Sequence, residues 1–72
     1  MKKIKKIKIS INGKLSMIND NLSLSNFIKQ LKIPLKKVAI ELNQEIIDKN
    51  KLNKIKLKEN DKVEIVHFIG GG

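Results

Sequence analysis

The chain has 72 residues, enough for one domain at the small end of what a single core can hold together. It contains no cysteine, which excludes a disulfide framework or a thiolate metal site. Its net charge of +9 comes entirely from lysine, and Phe27 and Phe68 are the only aromatic residues. The arginine forks and stacking rings of nucleic-acid readers are therefore missing, and nucleic acid is not expected as a partner.

Lysine, isoleucine and asparagine supply more than half of the residues, spread evenly along the chain as an AT-rich genome would give. The opening "MKKIKKIKIS" begins like a signal peptide, but lysines interrupt every apolar run and no h-region follows. No stretch approaches the roughly 18 apolar residues of a membrane span. The expectation is a monomeric cytoplasmic protein without a membrane partner.

Alternation comes first: Ile7, Ile9 and Ile11 share one strand face while Lys6, Lys8 and Ser10 take the other. Asn12-Gly13 then predicts a type I′ hairpin turn, because both residues tolerate positive φ. Leu15 and Met17 resume the alternation on the returning strand. Leu24, Phe27, Ile28 and Leu31 next fall at i, i+3, i+4 and i+7, the stripe of a helix predicted over residues 23–32. Ser23 is placed to cap it, and Pro34 lies beyond its end.

After Pro34 the two-residue period returns, with Val38, Ile40 and Leu42 on one face and Lys37, Ala39 and Glu41 on the other. "NQEII" turns tightly into the apolar pair Ile46 and Ile47. The polar stretch "DKNKLNKIKLKENDK" is irregular, anchored by Leu52, Ile55 and Leu57, and "KVEIVHF" is the final strand. Periodicity thus gives a small α+β domain with one helix on a mixed sheet.

That order, with "VAIELNQEII", "ENDKVEIVHFIGGG" and the early hairpin, resembles the sulfur carriers of thiamine thiazole biosynthesis, the ThiS family of ubiquitin-like β-grasp proteins. The resemblance covers nearly the whole chain, and "VEIVHFIGGG" is its most specific element. It implies a β-grasp domain over residues 1–69, with first and last strands side by side at the centre of the sheet, and a flexible tail over residues 70–72. It also implies that the carboxylate of Gly72 is adenylated and becomes a thiocarboxylate, with Gly71 completing the glycine pair and Gly70 extending the arm.

The implied partners are an E1-like adenylyltransferase that uses ATP, a cysteine desulfurase as indirect sulfur source, and thiazole synthase as acceptor. The carrier itself binds no cofactor or metal and catalyses nothing. Glycine suits this role, since a chain without Cβ threads a narrow channel in conformations other residues cannot adopt.

His67 invites a catalytic role, but its parity groups it with Val63 and Ile65, as a strand histidine near the edge of the core. Val66 and Phe68 fall on the opposite, open face, and with Ile69 they form an expected docking surface beside the tail. Ala39 and Glu41 share that face. Asn21-Leu22-Ser23 matches a glycosylation acceptor only by chance, without a secretion signal. Three rivals remain: a small subunit of molybdopterin synthase, a basic nucleic-acid-binding β-grasp module, and a protein conjugated to lysine through the same activated terminus. The first is disfavoured because His67-Phe68-Ile69-Gly70 stands where that family usually has proline and small residues.

Overall fold

A computed structural model of the chain describes residues 5–68. Two hairpins and a closing strand form one five-stranded sheet, made of β1 (Lys6–Ile11), β2 (Lys14–Asn19), β3 (Val38–Leu42), β4 (Glu45–Ile46) and β5 (Lys62–His67). The spatial order is β2-β1-β5-β3-β4. Only the β1–β5 pair is parallel, so the first and last strands meet at the centre, as expected.

The sole α-helix among the described residues, α1 (Leu24–Gln30), buries Leu24, Phe27 and Ile28. Ser23 caps it as predicted, its Oγ accepting from the Asn26 N–H at 3.0 Å. The helix is shorter than the predicted residues 23–32, and its far end shows why. Lys32 takes φ +58°, its N–H donates to the Lys29 carbonyl, and the Ile33 N–H reaches back to the Ile28 carbonyl. This is a Schellman stop, with a lysine where glycine is usual. Leu31 is left 41 % exposed and drops out of the stripe, while Ile33 folds back against the core.

The core combines the alternating strand residues Ile7, Ile9, Ile18, Val38, Ile40, Val63 and Ile65 with the helix stripe. Leu52 and Leu57 join it from the polar stretch, and Ile55 packs against it. That stretch is more regular than expected, since Lys49–Lys54 form a 3-10 helix capped by Asp48, whose carboxylate accepts from the Asn50 N–H. Each fully buried isoleucine or leucine contributes roughly 1.5–3 kcal/mol.

Candidate functional site: the root of the tail

β5 leads into the tail, and its two edges are secured differently. On the β3 side, Ala39 faces Val66 and Val38 faces His67. The Phe68 N–H then donates to the Lys37 carbonyl at 2.9 Å, carrying the ladder one residue past the strand.

On the β1 side, the Ser10 N–H donates to the Asp61 carbonyl and the Asn12 N–H to the Val63 carbonyl, both at 2.9 Å. There β1 turns away, and a side chain takes over. Asn12 Oδ1 accepts from the Ile65 N–H at 2.7 Å, and its Nδ2 donates to the Ile65 carbonyl at 3.4 Å. The hairpin turn thus holds the central strand through one amide group. Sequence reasoning assigned Asn12 only to the turn; nothing local signals a partner 53 residues away.

Val66 and Phe68 lie as predicted on the open face, 51 % and 55 % exposed. The Lys49 ammonium sits 5.4 Å from the centre of the Phe68 ring and also donates to the Leu35 carbonyl. Phe68 is therefore held by its backbone and its ring together. His67 has the predicted parity, but at the end of the sheet it is exposed. The expected docking residue Ile69 and the tail residues Gly70, Gly71 and Gly72 lie outside the described residues.

The open face carries more than was expected. Because cross-strand partners share a face, the pairs Ser10–Leu15, Lys8–Met17 and Glu41–Ile46 put Leu15, Met17 and Ile46 there too. Among the described residues, five of the six exposed large hydrophobic side chains therefore lie on one surface, Leu31 being the sixth. The signal was present in the sequence. A two-residue Asn-Gly loop pairs Ile11 with Lys14, which turns Ser16 and Ile18 toward the core and Leu15 and Met17 away from it. Between these apolar groups stand Lys6, Lys8 and Lys62, and two carboxylates directly opposite each other, Glu41 and Glu64.

Among the described residues no group of three or more His, Asp or Glu side chains is placed to hold a metal, and no helix is long and apolar enough to cross a membrane. What the arrangement offers is a braced strand end beside an uncovered apolar surface. A domain of this topology, with its α-helix across one face and its last strand at the centre of the sheet, is a ubiquitin-like β-grasp.

Known proteins narrow the class. The ThiS family model matches residues 5–72. The sulfur carrier protein ThiS of Bacillus subtilis is 34% identical over 65 residues, which span 89% of this chain and 98% of that protein. The crystal structure of the thiamine biosynthesis protein ThiS from Geobacter metallireducens superposes with a TM-score of 0.81 at 29% identity, over 92% of this chain and 100% of that one. The thiazole synthase of Paramagnetospirillum magneticum is 35% identical over 66 residues, covering 92% of this chain. The chain spans only 20% of the length of that enzyme and of a second thiazole synthase, from Magnetococcus marinus. The chain belongs to the ThiS family, the small sulfur carriers of thiamine biosynthesis.

Proposed function

We propose that the domain carries sulfur on the carboxyl group of Gly72. The observation that carries this reading is the family match over residues 5–72, which takes in Gly70, Gly71 and Gly72. The braced strand end before them supports it. A carboxylate is a poor electrophile, so an E1-like adenylyltransferase first joins it to AMP from ATP and releases pyrophosphate. Sulfur delivered as a persulfide, originating at a cysteine desulfurase, displaces the AMP. Reduction of its S–S bond by a thiol then leaves a thiocarboxylate, a protected sulfide for the acceptor enzyme.

The segment in two thiazole synthases that matches this chain supports thiazole synthase as that acceptor. The exposed Val66 and Phe68, continued by Ile69, form the docking surface for these enzymes. In this reading the carrier needs no bound cofactor and works in the cytoplasm, where ATP is at hand for its activation.

The test is a mass spectrum of the tryptic peptide spanning residues 63–72 after incubation with the adenylyltransferase, ATP and a sulfur source. Sulfur in place of oxygen adds nearly the same mass as methionine oxidation, and this peptide contains no methionine. A shift confined to its C-terminal residue is expected. An unmodified terminus, with the enzyme competent on a control carrier, sinks the reading. Deleting Gly72 should abolish ATP–pyrophosphate exchange and leave the fold intact.

A further inference from the structure

β5 extends past its neighbour on one side only. Along that edge the Val63 carbonyl accepts from the Asn12 N–H, and both backbone groups of Ile65 meet the Asn12 side-chain amide. The next residue whose N–H and C=O point the same way is His67, since backbone groups alternate along a strand. The Phe68 N–H points to β3, where it meets the Lys37 carbonyl. The β3 ladder bonds through the alternate residues on either side of His67, the β1 register ends at Val63, and the residue is exposed, so among the described residues its N–H and C=O face the lane that β1 leaves.

From these contacts we propose that the enzyme gripping the tail adds a strand of its own beside β5 at His67, in the lane that β1 leaves at Asn12. Its backbone carbonyl accepts from the His67 N–H and its N–H donates to the His67 carbonyl. The occupant is an extended backbone segment with an apolar side chain on the open face, against Val66 and Phe68. This proposal rests on the sulfur-carrier reading and adds the means of recognition.

Three observations favour it over an idle edge. First, β3 pairing on the far side already holds the backbone extended, so an incoming strand need not order it. Second, free edges are ordinarily blunted by lysine, proline or brevity. β2 begins with Lys14, and β4 has only two residues. Yet residues 63–68, which end at this edge, contain no lysine or proline, in a chain with 16 lysines. Third, His67 stands only three residues before Gly70 in the sequence, so an enzyme that holds the tail has this edge within reach.

Two measurements test the pairing on the full chain, with its adenylyltransferase and ATP. Amide hydrogen exchange followed by NMR should find the His67 amide unprotected in the free carrier, while the Ile65 and Phe68 amides are protected. Saturating enzyme should then slow exchange at His67 at least about tenfold. Separately, His67→Pro removes the N–H that faces the open edge, and proline is tolerated where a strand N–H points to solvent. Its Kd for the enzyme should exceed that of His67→Ala, which keeps the N–H, by about tenfold.

Protection of His67 in the free carrier, no slowing in the complex, or equal Kd values for the two variants would each overturn the pairing. Should the proline variant fail to fold, the exchange measurement decides alone. Pyrophosphate exchange by the wild-type chain with an unaltered His67 amide removes the strand pairing and leaves the carrier reading standing. Absence of pyrophosphate exchange removes the carrier reading and the pairing with it.

Discussion

The two hairpins turn in the same way and hold the same strand, yet with different strength. Asn12 and Gly13 have φ +50° and +84°, and Asn43 and Gln44 have +52° and +73°, so both are two-residue turns with positive φ throughout. Each asparagine reaches β5 from its own side. Asn12 Oδ1 takes the N–H of buried Ile65, whereas Asn43 Oδ1 takes the N–H of exposed Lys62 at 2.9 Å and its Nδ2 donates to Asp61 Oδ1 at 3.1 Å. The Asn43 contacts are exposed, so water replaces them at little cost; the Asn12–Ile65 contact is partly buried, and its loss costs more. The comparison shows that a turn residue can be chosen for a distant strand as much as for its own loop.

Substitutions can break this comparison. Asn12→Ala should have the largest effect, about 3 kcal/mol, because it leaves the Ile65 N–H without a partner and places a Cβ-bearing residue without a compensating side chain at positive φ. Urea unfolding measures it, and a loss equal to that of Asn43→Ala would refute the distinction between the two turns. Asn43→Ala should cost about 1.5 kcal/mol, mostly from the same backbone strain, since its hydrogen bonds are exposed. Gln44→Gly should move the other way and stabilise by about 0.5 kcal/mol, by relieving positive φ at a residue with a side chain. A destabilised Gln44→Gly would mean that the glutamine side chain does something the turn geometry does not reveal. On the open face, Phe68→Asp should weaken binding of the adenylyltransferase well before it lowers the unfolding midpoint, because the ring is half exposed. Unchanged binding would separate that surface from function.

Local periods made much of the fold legible. Alternation in β1, β3 and β5, the Asn-Gly turn and the Ser23 cap all follow from residues near one another in sequence. The 3-10 helix over Lys49–Lys54 was not legible, because one buried side chain, Leu52, sets no period. Central pairing of β1 with β5 came from family resemblance, since periodicity says nothing about which strands meet. At the tail root, parity placed Val66 and Phe68 correctly. Leu15, Met17 and Ile46 needed the register of the two turns as well. The Asn12 clasp and the Lys49–Phe68 contact depend on tertiary proximity and leave no local trace.

The long reach from Asn12 to Ile65 also bears on how the molecule assembles. Either hairpin can close early, since its contacts are local, but each then shows an unpaired edge and an uncovered apolar face. Only the arrival of β5 joins them, across loops whose closure makes this the slow step of folding. The strand that leads into the tail is therefore the keystone of the sheet. An unfinished chain has neither the braced Phe68 nor the lane beside His67, so an enzyme that reads those features selects completed carriers and spends no ATP on immature ones.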